Sequence, residues 1–353
     1  MITLNGGKIW KCGTLSENDE CVIQSDFINQ TFPLKENDWI VPGVFDAHVH
    51  LWSPASYSAF GIGGTRVMAA GTTAAIEPGS FGRNNWKTAD KYWQASAGLR
   101  VKSFVHVLPE GLAVFPPVTP TLPENLEIEK TIDFIEEHKC NGTLLGVKVH
   151  LGWLPYKSEE TDRALLKAAW KVARATKTRL MVHISGEIIS VDEMADMLEE
   201  GDIISHIYTG FGNGVLDANK KLHNSILAAH KRGVIFDTGL SGKHFSSEVF
   251  KEAYKQGCGF DLMGSDLTAA SWTNRAHYNR YHIYEYMQEF LEAGVPETEV
   301  LKGLVDKPAE IMGIQPSYEK SCVVVRTKAE DGKERYCEPM LVTHSGKVWT
   351  NKL

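Results

Sequence analysis

The chain has 353 residues, a net charge of −7, 43% hydrophobic and 23% charged residues. That profile fits a soluble globular protein with one large domain, or one large and one small. A mildly acidic chain without basic runs argues against nucleic acid or an anionic membrane surface as partner, and no apolar run approaches the ~18 residues that span a bilayer.

Residues 1–8 do not read as a signal peptide, so the cytoplasm is the expected location. The six cysteines form no Cys-X-X-Cys pair, and the expectation is reduced thiols without a zinc ribbon.

In chain order, residues 1–40 read as short strands and turns, such as Gly7-Lys8-Ile9-Trp10. From residue 44 to about 312, short apolar strands alternate with amphipathic helices. Strands are predicted at 44–51, 71–77, 100–107, 144–149, 179–184, 203–206, 234–238 and 262–265. The helix predicted over 161–176 carries one apolar stripe of Ala164, Leu165, Ala168, Ala169, Val172 and Ala173. Gly201, Gly233 and Gly257 are placed as helix C-terminal glycines, and Ser246 and Ser247 as caps for 248–256. Eight strand–helix units in one run predict a (β/α)8 TIM barrel over 41–315. An open doubly wound sheet is the runner-up, but no Gly-X-Gly-X-X-Gly follows a strand. Residues 316–353 again read as strands, and with 1–40 they predict one small β domain formed from both termini.

In a barrel, chemistry sits where the strands end. The first predicted strand ends in His48-Val49-His50, whose imidazoles share one strand face. Lys148 lies inside the fourth, between Val147 and Val149. His183 ends the fifth, His206 the sixth, and Asp266 follows Gly264-Ser265 at the eighth. A single buried His would read as a hydrogen-bonded core residue. Six metal-competent groups on five strand ends are hard to explain that way. Imidazole and carboxylate donors suit Zn²⁺, with Mn²⁺, Fe²⁺ or Co²⁺ as alternatives.

This set resembles the amidohydrolase superfamily over nearly the whole chain. The resemblance implies that Lys148 is carboxylated and bridges two divalent metal ions. His48, His50 and Asp266 would hold one ion, and His183 and His206 the other. It implies attack of a metal-bridging hydroxide on an acyl carbon, with Asp266 as the catalytic proton shuttle. The segments 71–80, 146–148 and 236–242 look most like the deacetylase, dihydroorotase-like group, whose substrates are small N-acyl or O-acyl compounds. The expected activity is therefore hydrolysis of an amide or ester bond.

The alternatives are a cyclic amidase, of dihydroorotase or hydantoinase type, or a mononuclear base deaminase. Dihydroorotases usually continue the first motif to an Arg, and Trp52 stands there. Deaminases usually carry His-X-X-Glu after the fifth strand, whereas Glu187 is four residues past His183. The family's Gly-X-X-Ala-Asp segment is replaced by 318–323.

Substrate contacts are expected from the loops after the strands. The candidates are Arg83, Trp153, Tyr156, Lys243, His244, Trp272 and Arg275. His106, His150, His230, His277, His282 and His344 read as surface or structural residues, and Glu77 as a partner behind the ligands. The expected partner is a small-molecule substrate, with no nucleic acid and no membrane; a homo-oligomer stays open.

Overall fold

The structure is a computed structural model. It describes the chain except residues 12, 26–27, 53–59, 95–97, 115–120, 153–157, 187–188, 243, 274–282, 328–336 and 351–353. Six strands come first: β1 (Ile2–Asn5), β2 (Lys8–Lys11), β3 (Thr14–Glu17), β4 (Glu20–Ile23), β5 (Gln30–Pro33) and β6 (Trp39–Val41). Seven parallel strands follow: β7 (Val44–Asp46), β8 (Thr72–Glu77), β9 (Arg100–His106), β10 (Leu144–His150), β11 (Arg179–His183), β12 (Ile203–Ser205) and β13 (Ile235–Asp237). They pair in sequence order as one curled sheet, β7 to β13.

The predicted eighth strand is not a regular ladder. Residues 262–267 close the barrel by parallel bridges, Leu262 to Asp237 and Leu267 to Val49. Backbone bonds run from Ala47 N–H to the Met263 carbonyl and from Leu240 N–H to the Gly264 carbonyl. The fold is therefore a (β/α)8 TIM barrel whose last element is held by isolated bridges.

The first strand is shorter than predicted. It stops at Asp46, because the Asp46 carboxylate takes the backbone N–H groups of His48 and Ser265. The His pair stands just beyond it, anchored by a bond from His50 N–H to the Leu267 carbonyl.

Helix Glu159–Thr176 shows how the outer layer forms. Ser158 Oγ accepts the Thr161 N–H as N-cap, and Glu159, Glu160 and Asp162 complement the helix dipole. The buried stripe of Leu165, Leu166, Ala168, Ala169, Val172 and Ala173 joins Val147, Val149, Leu180, Val182 and Ile204 of the sheet in one core. Gly233 and Gly257 follow their helices in the left-handed conformation. Gly201 instead sits in a turn, since the helix before it ends at Met197.

The inward residues form layers. Met181, Ile203 and Ile235 pack inside the barrel with Phe45, Ile76, Phe104 and Leu262. One layer up, strand register aligns His150, His183, Ser205 and Asp237. The apolar filling thus ends in a polar ring at the C-terminal mouth.

The termini meet. Strands β14 (Ser321–Arg326), β15 (Glu338–His344) and β16 (Lys347–Thr350) join β6, β2 and β3 in a six-stranded sheet, with β14 antiparallel to β6. A second, three-stranded sheet is built from β4, β1 and β5. Among the described residues, no helix is long and apolar enough to cross a membrane.

Candidate metal centre

His48, His50 and Asp266 converge at the mouth. One ligand atom from each lies within 4.8 Å of the others. Asp266 Oδ1 is 3.2 Å from His50 Nε2 and 3.5 Å from His48 Nε2. The His206 ring is centred 5.0 Å from that of His48 and 4.4 Å from that of His183. All five side chains are buried, and so is Lys148.

The partners behind the rings set their tautomers. His48 donates its Nδ1–H to Asp237 at 2.7 Å, and Ser205 Oγ bonds the same carboxylate at 2.6 Å. His50 donates from Nδ1 to Ser80 Oγ at 2.6 Å, and Ser80 donates to Glu77. His206 donates from Nδ1 to the Gly239 carbonyl at 2.8 Å. In a neutral ring these bonds leave Nε2 with a lone pair for a cation. His183 is reversed: its Nε2 faces the Ser185 carbonyl at 3.2 Å. Its buried Nδ1 has no hydrogen-bond partner among the described residues.

Lys148 Nζ is the second such orphan. Burial brings its ammonium down to about 8, although Asp237, Asp266 and Glu77 pull the other way. Burial also lowers His48, His183 and His206, which favours the neutral rings that bind metal. At Asp266, burial opposes ionisation. The hydrogen bond to His50 and the charges of His48, His206 and His50 outweigh it and hold the carboxyl below the usual range. The donor set, the fixed tautomers and the two orphaned nitrogens fit divalent cations.

Two glycines let the backbones close in. A Cβ on Gly264 would lie 2.2 Å from His48 Cβ, and one on Gly239 2.3 Å from His206 Nδ1.

Of the sequence-predicted substrate residues, the side chains of Arg83 and His244 are described. Arg83 is tied to Glu127 and Asn84. His244 is half-buried at the mouth, 4.6 Å from the His206 ring and 4.9 Å from that of His183, with Nδ1 2.5 Å from Ser185 Oγ. Trp153, Tyr156, Lys243 and Arg275 lie outside the described residues, as do Glu187, His277 and His282, and so does the side chain of Trp272.

Glu77 stands behind the site, accepting the N–H groups of Leu51, Trp52, Gly79 and Ser80. His230 and His344 are structural, bonded to Asp261 and the Gly98 carbonyl.

Asp237 was missed by sequence reasoning, though a carboxylate ending an apolar strand is a usable signal. His106 and His150 are buried at the top of β9 and β10, and the His150 ring stacks 4.1 Å from that of His183. Neither is a surface residue.

No family model matches the chain. It is 25% identical over 281 residues to a deacetylase of Brucella anthropi, and 23% identical over 279 to one of Agrobacterium fabrum. Each match covers 78% of this chain, which spans just under two thirds, 66% and 65%, of those relatives' length. A dihydroorotase structure superposes with a TM-score of 0.81 at 20% identity, over 99% of this chain and 98% of that one. An adenine deaminase structure gives 0.79 at 18%, over 99% of both. The chain is thus similar in sequence to these deacetylases and shares the barrel fold of the dihydroorotase and adenine deaminase structures.

Proposed function

We propose that the chain is a binuclear, metal-dependent hydrolase of an amide or ester bond in a small acyl compound, deacetylase-like in its chemistry. One observation carries this: six buried donor groups meet at the barrel mouth, and two of their nitrogens, Lys148 Nζ and His183 Nδ1, lack a protein partner among the described residues. The deacetylase names of the relatives support the acyl substrate.

His48, His50 and Asp266 would hold one cation and His183 and His206 the other, with Lys148 carboxylated between them. Zn²⁺ suits these donors best. Bound divalent cations supply Lewis acidity and make water a nucleophile near neutral pH.

The rest falls to the side chains. Asp266 keeps its carboxylate ionised beside the His rings, so it accepts the proton of the attacking water and returns it to the leaving amine or alkoxide. Asp237 and Ser205 hold the His48 ring in its donor-out orientation; Ser80 and Glu77 do so for His50. The half-buried His244 is placed to meet substrate. Trp52 is buried at the position where a dihydroorotase would present a cation, which speaks against a carboxylate-bearing cyclic ureide as substrate.

Metal analysis and activity decide the reading. Protein reconstituted with Zn²⁺ and bicarbonate should hold about two equivalents and hydrolyse members of a panel of N-acetyl and O-acetyl compounds. One equivalent together with base deamination would replace this reading. No bound metal would end it.

A further inference from the structure

We infer that the foot of the barrel, at the N-terminal ends of its strands, carries an oxyanion site that takes a phosphate group on one edge of the Arg100 guanidinium and on Nδ1 of His344. The site stands at the opposite end of the barrel from the metal centre and does not depend on the hydrolase reading.

Arg100 opens β9, whose other end is His106 at the mouth. At ~3.3 Å per residue the two are about 20 Å apart along the strand. The guanidinium carbon lies 5.1 Å from the centre of the Phe45 ring, so one face of the cation rests on the aromatic layer inside the barrel. Its Nε and Nη2 are buried and have no hydrogen-bond partner among the described residues. Burial lowers the pKa of the group, and no carboxylate acts against that.

The two atoms matter as a pair. Nε–H and the adjacent Nη2–H point the same way along one edge of the planar group. That edge is the fork that grips two oxygens of a phosphate or carboxylate at once. A desolvated cation with its fork unmet is unfavourable. An oxyanion placed there supplies both acceptors and the opposite charge.

His344 adds the complementary group. It ends β15, is 3% exposed, and donates from Nε2 to the Gly98 carbonyl, two residues before Arg100. A carbonyl only accepts, so the proton sits on Nε2. Burial lowers the pKa of the ring; the Gly98 bond opposes this, and the charges of Arg100 and Lys347 lower it further. The ring is therefore neutral, and its Nδ1 holds a buried lone pair without a partner among the described residues. Lys347 stands opposite His344 across the β15–β16 hairpin.

Two donors on Arg100 and an acceptor on His344 call for a ligand that offers both. Hydrogen phosphate has oxygens for the guanidinium and a hydroxyl for Nδ1. Ionised acetate and chloride have no hydroxyl. The approach is from the surface: Arg100 is only partly buried, and Gly98 and Ser345, which pack together beside it, are exposed. Arg100 belongs to the barrel and His344 to the six-stranded terminal sheet, so the anion also links the two.

The test titrates inorganic phosphate, methyl phosphate and acetate into the full-length protein as isolated, by calorimetry, with ionic strength fixed by sodium chloride. Phosphate also binds metal ions, so each titration is repeated on Arg100→Lys, which keeps the charge and loses the fork. The wild type should bind phosphate saturably at a site that weakens roughly 10-fold or more in Arg100→Lys, the size of one lost charge-assisted bond. His344→Phe, which keeps a ring and removes the lone pair, should weaken phosphate but not acetate. The tighter of the two phosphates identifies the source of the group.

If Arg100→Lys does not fold, a crystal structure of the wild type grown with phosphate decides. A phosphate on Nε and Nη2 of Arg100, beside Nδ1 of His344, supports the site. Three results overturn it: phosphate titrations that are the same in wild type and Arg100→Lys, acetate that binds the wild type as tightly as phosphate, or a crystal in which water or a carboxylate of the chain occupies that edge of Arg100.

Discussion

Lys148 makes the sharpest test, because its burial ties stability to the proposed carboxylation. Its ammonium is fully buried and its pKa falls from 10.5 to about 8, mainly through desolvation. At pH 7.5 the neutral amine is then roughly a quarter of the population, against about a thousandth for an ordinary lysine. The neutral amine is the form that reacts with carbon dioxide, so this burial favours the proposed carboxylation.

In metal-free protein stripped of bicarbonate, the unfolded chain keeps the proton up to 10.5 while the folded chain releases it near 8. The unfolded state binds more protons between those values, so stability rises with pH across that window. The slope reaches about 1.4 kcal/mol per pH unit, and the total is about 3 kcal/mol. Lys148→Met removes the titrating group and keeps the volume. Urea unfolding from pH 7.5 to 10.5 should show the slope in wild type and a flatter curve in Lys148→Met. Zn²⁺ and bicarbonate together should abolish the wild-type slope. Parallel curves for the two proteins would refute the argument. So would a metal-replete crystal structure, prepared with bicarbonate, that shows a free ammonium.

Asp266→Asn should keep the fold and at least one metal yet lose on the order of 10²–10⁴ in kcat, the range of a general acid–base group. Changes at His48 or His50 should lower metal content first, and an Asp266→Asn protein with near wild-type turnover would exclude the shuttle. Asp237→Asn should weaken metal affinity roughly 10–100-fold, as loss of a ligand-orienting carboxylate does, with little change in the urea midpoint. Gly264→Ala puts a methyl group against His48 Cβ and should cost about 1–3 kcal/mol of stability together with metal, measured by unfolding and metal analysis. Turnover of dihydroorotate should stay below a kcat/KM of ~10⁴ M⁻¹s⁻¹, the range of enzymes on their own substrates.

The residues that the sequence revealed share one property. His183, His206 and Asp266 each end an apolar run, and Lys148 interrupts one, so local patterning exposes them. Asp237 also ends such a run, but its role depends on reaching His48 from the far side of the barrel, 189 residues away in sequence. Nothing local marks that pairing. His106 and His150 were read as surface or structural because a lone imidazole carries no sign of its neighbours. Only the register of β9, β10 and β11 brings them beside Lys148 and His183. The eighth strand was predicted as regular because its residues are apolar. In the fold, 265–267 turn to bond Asp46 and the first strand's extension, and the ladder gives way to single bridges.

That departure from regular strand is what brings the proposed ligands together. Ser205 and His206 are consecutive, yet both face inward. Ser205 Oγ bonds Asp237, and the His206 ring lies beside those of His48 and His183. Alternation on a strand would send one of them to the outer face. His206 escapes this by taking a φ of 67°, outside the β region. The same holds at the eighth element, where Ser265 bonds Asp46, Asp266 meets His50, and Asp266 takes a φ of 51°. Such conformations cost on the order of 1–3 kcal/mol each in residues other than glycine. Here the His206 ring is held by the Gly239 carbonyl, and the Asp266 N–H by the His48 carbonyl. The strain thus falls on two of the proposed ligands, one for each cation. A barrel built only by the strand rule could not present both neighbours inward, so the local rule is broken where the proposed chemistry needs it broken.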